Sequence, residues 1–257
     1  MTVQIFASAS LLLRSIPASA VSLPTREDEA MASTRNVTGL TLLDPLPDLS
    51  FEASDDSSNS LQSYFHGSWG LLFSHPDDFT PICTTELGEV ARLENAGEFA
   101  RRNVKLLGLS CNDVSSHKRW IEDVEQFSGA KVNYPIVADA KREIAAQLGM
   151  LSKDDLDKQG LPLTVRTLFV LDPQVRIRLT ITYPASTGRN FVEILRVLDS
   201  LQLTDTKKLA TPVNWKQGDR VCITPAVSAD EAAVKFPDVI VEKLPSSKGY
   251  LRFTSEY

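Results

Sequence analysis

The stretch HPDDFTPICTTEL, residues 75–87, carries Cys83, one of three cysteines in the 257-residue chain. Pro81 suits the first position of a helix, where its missing N–H costs nothing, and Thr80 before it is a good N-cap. Cys83 then falls at the third helical position. Unpaired backbone N–H groups and the positive end of the helix dipole favour a thiolate there. Asp77 and Asp78 oppose that charge if they lie close, because a like charge disfavours ionisation. A cation must then come from elsewhere in the chain. Thr80, one turn before the sulfur, can instead hydrogen-bond a substrate oxygen beside it. The competing reading is that Cys83 is a small buried hydrophobe, which is what most free cysteines are.

The elements around this stretch follow from periodicity. SWGLLFSH is a short apolar run bounded by glycine and proline, the pattern of a buried strand. TPICTTELGEVARLENAGEFARRN has helical period, with Ile82, Leu87, Val90, Leu93 and Phe99 able to share one face. VKLLGLS (strand), SSHKRWIEDVEQFS (helix), YPIVAD (strand) and KREIAAQLGML (helix) follow. The alternation predicts an α/β sandwich with parallel strands. RTLFVLDPQVRIRLTITYP reads as an antiparallel hairpin around Asp172-Pro173-Gln174, so the sheet becomes mixed. In TGRNFVEILRVLDSLQL, Phe191, Ile194, Leu195, Leu198 and Leu201 recur at helical spacing and close the main domain. The last 45 or so residues are expected to be too small for a core of their own and to pack on the main domain or a partner subunit.

A formal charge of −6 and a pI near 5.2 give no general attraction to nucleic acid or to an anionic bilayer. No stretch reaches the roughly 18 apolar residues a membrane span needs. Cys83, Cys111 and Cys222 are widely spaced, which suggests neither a disulfide framework nor a zinc ribbon and fits a reducing compartment. A metal site built from Cys83, Cys111, His75 and His117 lacks the usual ligand spacing. The first 26 residues contain no acid, hold Arg14 and Arg26 and are rich in serine and alanine. That composition partly matches a mitochondrial presequence. Ala18-Ser19-Ala20 resembles a secretory cleavage site, but the segment before the apolar run has no side-chain cation. A disordered extension, with translation starting at Met31, is the third reading.

P-D-D-F-T-P-I-C, residues 76–83, resembles the PxxxTxxC active-site signature of the peroxiredoxins. The similarity continues through SWGLLFSHP, YPASTGRN, EILRVLDSLQLT, ATPVNW and YLRFT, and points to the one-Cys branch with an extra C-terminal domain. It implies a thioredoxin-like fold, a mixed central sheet flanked by helices, over residues 42–203. A small C-terminal domain over 204–257, associated with a dimer, would follow, and residues 1–41 would be an extension. The resemblance makes Cys83 the peroxidatic nucleophile, oxidised by a hydroperoxide to a sulfenic acid. It makes Thr80 the residue that orients the peroxide and Pro76 the shield against water. Arg166 becomes the cation beside the sulfur, Glu86 a support for that arginine, and His75 the family's histidine near the sulfur.

Two-Cys members resolve the sulfenic acid with a cysteine in a Val-Cys-Pro context, where this chain reads ATPVNW. Neither Cys111 nor Cys222 matches such a motif. The resemblance therefore implies an external thiol such as glutathione or thioredoxin and no bound cofactor or metal. It also implies a homodimer; the sparse, odd cysteine count fits a cytoplasmic protein, with a mitochondrial alternative through the extension. Some members of the branch hydrolyse phospholipid esters with a serine, a histidine and an aspartate. Here Ser68 matches, but Gln62 and Gln174 stand in the other two places. Glutamine is no general base, and His66, two residues from Ser68, is a poor substitute. A redox sensor or holdase with Cys83 as its switch is the alternative outside catalysis.

Overall fold

A computed structural model describes residues 39–257. It opens with β1 (Ser50–Glu52) and β2 (Ser58–Ser60), paired antiparallel, and the short helix α1 (Leu61–Phe65). Loops and short strands were the expectation here. The helix forms because the Ser60 side chain accepts from the Ser63 amide and because Leu61 and Phe65, four apart, bury together.

Next come β3 (Trp69–Ser74), α2 (Pro81–Asn95), β4 (Val104–Ser110), α3 (Val114–Ser128) and β5 (Ile136–Ala138). After α4 (Glu143–Gln147), β6 (Leu151–Leu156) and β7 (Pro162–Thr164) form a separate hairpin. Then β8 (Arg166–Leu171) and β9 (Ile177–Tyr183) pair antiparallel, and α5 (Phe191–Thr206) follows. The main sheet has the order β5-β4-β3-β8-β9. β4 runs parallel to both β3 and β5, whereas β8 is antiparallel to β3. β3 is buried at all six positions because it sits mid-sheet with helices on both faces.

Alternation along β3 divides the interior into two cores. Leu71 and Phe73 join Leu87 and Val90 of α2, Trp120 of α3 and Ile194 and Leu198 of α5. Leu72 faces the other way, with Leu61 and Phe65 of α1 and Ile144 of α4. A Cβ on Gly70 would run into the Phe65 ring, so the close crossing of β3 over α1 requires glycine.

Three expectations are corrected. The helix expected through residue 103 ends at Asn95, where Gly97 takes a φ of 77°, and Phe99 is buried from the turn that follows. The helix expected over KREIAAQLGML shrinks to α4. Arg142 precedes it with φ 63° and Gly149 follows it with φ 66°, both left-handed, and Leu151 has already joined β6. The tail is not without a core: Leu209, Trp215, Val221, Ile223, Val227 and Ala232 form a buried cluster. Around it lie β10 (Leu209–Ala210), β11 (Val221–Ile223), α6 (Ala229–Lys235), β12 (Ile240–Val241) and β13 (Arg252–Thr254). Leu209 of β10, Val221 and Ile223 of β11 and Ala232 of α6 are joined by Trp215 and Val227 from the connecting loops, and Leu203, from α5, packs against the cluster. No helix of the described residues is long and apolar enough to cross a membrane. The readings made for residues 1–38 lie outside the described residues.

Candidate active site

Pro81 stands at the start of α2 with Thr80 at the N-cap position, as the proline and threonine dictate. The capping bond itself is not made. Thr80 Oγ1 donates instead to the Asp77 carbonyl at 2.9 Å, which folds the loop from Pro76 to Thr80 back on itself. Phe79 in that loop has φ 54° and is exposed. Cys83 lies at the third helical position and is completely buried, and Pro76 is buried too.

The cation demanded by the local sequence comes from β8. Arg166 is 2% exposed, and its Nη1 lies 3.4 Å from Cys83 Sγ and 2.7 Å from Glu86 Oε2. Nε and Nη2 donate to the Ala185 carbonyl at 2.9 and 2.6 Å, so the fork is held from both sides. Glu86, one turn after Cys83, has a second partner that sequence reasoning missed. Arg189 donates to it from its backbone amide (2.7 Å), from Nε (2.9 Å) and from Nη2 (2.9 Å). Burial alone would raise the Glu86 carboxyl, but the charge of Arg189, its hydrogen bonds and the charge of Arg166 hold it below the usual range. The only earlier signal for Arg189 was its place in YPASTGRN, beside Asn190, whose side chain caps α5 by accepting from Val192 and Glu193. Two guanidinium groups on one carboxylate leave net positive charge next to the sulfur. Such an arrangement favours negative charge on sulfur or on an oxygen bound beside it.

The aspartates of the loop do not act as feared. Asp77 Oδ1 accepts from Asn112 Nδ2 at 2.7 Å. Asp78 is buried and accepts from His75 Nε2 (2.9 Å), His117 Nδ1 (2.9 Å) and Ser116 Oγ (2.8 Å). Burial pushes its carboxyl up, but the hydrogen bonds from His117 and His75 and their charges hold it far below the ordinary range. His75 is fully buried. It packs on Trp120 with ring centroids 4.9 Å apart, and burial drives its pKa down. The Trp120 indole donates to Thr84 Oγ1, the residue after Cys83, at 3.1 Å. His117 had no assigned part in the sequence reading, yet it completes this cluster. Ligand atoms of His75, Asp78 and His117 lie within 4.8 Å of one another, close enough for a metal site, but here they satisfy one another by hydrogen bonds.

The other thiols sit differently. Cys111 is buried and burial pushes it up to about 12, while Cys222, in β11, is half-buried and also raised by burial. Neither is a ready nucleophile at neutral pH. The amide of Gln62 donates to the Leu46 carbonyl and the Gln174 oxygen accepts from Arg176 at 3.3 Å, so neither supplies a base to Ser68.

A buried parallel strand running into a helix whose first turn carries a cysteine, with an antiparallel hairpin completing the sheet, defines a thioredoxin-like protein. The matches narrow the class. Residues 42–180 match the AhpC/TSA family, and residues 200–238 match the C-terminal domain of 1-Cys peroxiredoxin. The chain is 49% identical over 224 residues to peroxiredoxin-6 of Gallus gallus, spanning 85% of this chain and 98% of that protein. Its fold superposes on the crystal structure of peroxiredoxin 6 of Arenicola marina with TM-score 0.82 and 49% identity, covering 85% of this chain and 99% of that one. A yeast mitochondrial 1-Cys peroxiredoxin, described as resolved through glutathione and thioredoxin systems, is similar with TM-score 0.74 and 42% identity, covering 84% and 99%. The chain belongs to the peroxiredoxin family, the thiol-dependent peroxidases, and to its one-Cys branch.

Proposed function

We propose that Cys83 is the peroxidatic residue of this enzyme and that hydrogen peroxide and organic hydroperoxides are its substrates. The observation that carries the reading is Arg166 Nη1 at 3.4 Å from Sγ, braced by Glu86. In the step, the thiolate attacks one peroxide oxygen, the O–O bond breaks, and water or an alcohol leaves after taking a proton. Cys83 is oxidised to a sulfenic acid. Thr80 orients the peroxide through its hydroxyl, Pro76 keeps water away and Arg166 stabilises charge on the oxygens.

Reduction falls to an external thiol. Its sulfur displaces the sulfenic hydroxyl as water to give a mixed disulfide, and a second thiol releases Cys83. The raised pKa values of Cys111 and Cys222 favour an outside resolver. Glutathione or thioredoxin is the reductant supported by the yeast relative's description. Among the described residues, β9 lies at the edge of the main sheet and its outer side pairs with Leu43 and Asp44 at Ile177; the part of that edge beyond Ile177 suits a second copy of the chain, which would make a homodimer by strand addition. The compartment is read as cytoplasmic, with mitochondrial import as the alternative.

The test is stopped-flow oxidation of the reduced protein, followed by intact mass with each thiol. Wild type should consume peroxide catalytically with one of them and pass through a Cys83-linked adduct. Full peroxide consumption by Cys83→Ser would refute the reading. A single turnover that no thiol restores would favour a sensor.

A further inference from the structure

The pairing of β3 with β8 stops at Phe73 and Leu168, short of the residue that reaches the sulfur. Past that point β3 gives way to the loop that leads to Cys83, while Arg166 lies at the start of β8. Two backbone groups on this side, the Thr167 amide and the Val165 carbonyl, are thus left without a strand partner, and Thr167 is buried. Interior backbone groups must find some partner. One side chain serves both. Ser74, the last residue of β3 and fully buried, donates from Oγ to the Val165 carbonyl at 2.5 Å and accepts from the Thr167 amide at 3.1 Å. The Thr167 carbonyl, 3.4 Å from the same oxygen, is the poorer acceptor. Val165 and Thr167 flank Arg166, which pairs in register with Tyr183 of β9 on the other side. The Thr167 carbonyl also accepts from Arg189 Nη1 at 3.1 Å. A single hydroxyl therefore holds the segment from which Arg166 reaches Cys83 and on which Arg189 rests.

We propose that Ser74 is a positioning residue for peroxide reduction: its hydroxyl, bonded on both sides of Arg166, sets where the guanidinium lies against Cys83 Sγ. This rests on the peroxidase reading of Cys83. A hydroxyl suits the place because it donates and accepts at once, which alanine cannot do. Arg166 has to meet Cys83, Glu86 and the Ala185 carbonyl together. That geometry depends on where its backbone lies as much as on the side chain, and a misplacement of about 1 Å in such an arrangement can cost on the order of 100-fold in rate. Ser74 acts through the peptide groups of Val165 and Thr167, not on the reacting atoms.

The test is a double-mutant cycle, read by stopped-flow oxidation of the reduced full chain with hydrogen peroxide. Ser74→Ala should slow the oxidation of Cys83 about tenfold or more. In an Arg166→Gln background, where Arg189 still pairs with Glu86, the same change should cost less than about twofold, because residues that act as one unit are not additive. A wild-type rate in Ser74→Ala, or equal losses in the two backgrounds, would overturn the proposal. Thr182→Val removes a hydroxyl contact with Thr167 Oγ1, 3.1 Å away, from the β9 side. It should leave the rate unchanged; a loss matching that of Ser74→Ala would mean that any loosening of β8 suffices, which also overturns the proposal. Circular dichroism checks folding. If Ser74→Ala does not fold, Ser74→Cys, close in size but a weak donor, takes its place, with Cys83 oxidation followed by peptide mass. Amide hydrogen exchange separates this inference from the reading beneath it. The Thr167 amide should exchange faster in Ser74→Ala than in wild type, and unchanged exchange would defeat the positioning role. Undiminished peroxide consumption by Cys83→Ser would instead remove the peroxidase reading while leaving the exchange result standing.

Discussion

Two buried acids, Glu86 and Asp78, lie eight positions apart and each is gripped by two basic side chains, yet the partners differ in kind. Around Glu86 both are arginines, which stay charged at any pH the fold survives. Around Asp78 both are histidines, whose two ring nitrogens can each either donate or accept. The chain thus separates fixed positive charge, beside the sulfur, from a proton inventory that a carboxylate arranges. A single cluster could not serve both purposes. Arginine offers only donors, whereas a histidine ring nitrogen can also accept.

The contrast predicts unequal costs. Glu86→Gln leaves two buried guanidinium groups without their counter-charge and should cost about 3–5 kcal/mol in urea unfolding. Asp78→Asn should cost less, since an imidazole can give up its proton, and equal losses would break the comparison. Arg166→Lys should slow the reaction of peroxide with the reduced protein by about 100-fold, or ~2.7 kcal/mol, in stopped flow. One ammonium cannot reach Cys83, Glu86 and the Ala185 carbonyl together as the guanidinium does.

The histidine side should show itself in acid. The pKa of His75 is lowered from an ordinary 6.5, so the unfolded chain binds the proton more readily than the folded one. Its contribution to stability is fully present above pH 6.5 and is lost as pH falls toward the lowered value. Asp78, also lowered, contributes above its ordinary 3.8 and loses that contribution below it. Urea midpoints should therefore be flat from pH 8 to 7 and decline below 6.5 by at most about 1.4 kcal/mol per pH unit for each proton. His75→Gln should flatten the upper part of that decline. The smallest effect is expected at Ser68. Ser68→Ala should leave stability within about 0.5 kcal/mol and peroxide turnover unchanged, and a pure-protein lipid assay should show no Ser68-dependent release of fatty acid.

Legibility in the sequence tracked the range of the interactions. The β3-loop-α2 segment could be read because Pro81, Thr80 and the apolar run act over a few residues, and the helix does begin at Pro81. The β8–β9 hairpin was similarly marked by its turn. Gly149 and the left-handed Arg142, which cut α4 short, were harder: nothing in an arginine announces a positive φ. The cap bond expected of Thr80 gave way to a bond with Asp77. Arg166 was placed by family resemblance, whereas Arg189 and His117 were passed over because each becomes informative only when a distant carboxylate meets it.

By itself the sequence determined the order of elements from β3 to β5 and from β8 to α5, a cysteine in the first turn of a helix and the need for a cation to offset the neighbouring aspartates. Tertiary structure decided how that need was met. It turned Asp78 onto two histidines, brought Arg166 to the sulfur and added Arg189 behind Glu86. The reason is physical. Helix starts and strands follow from local sterics and hydrogen bonds, but the energy of a charge depends on which groups share its low-dielectric surroundings, and only the packed chain assembles those.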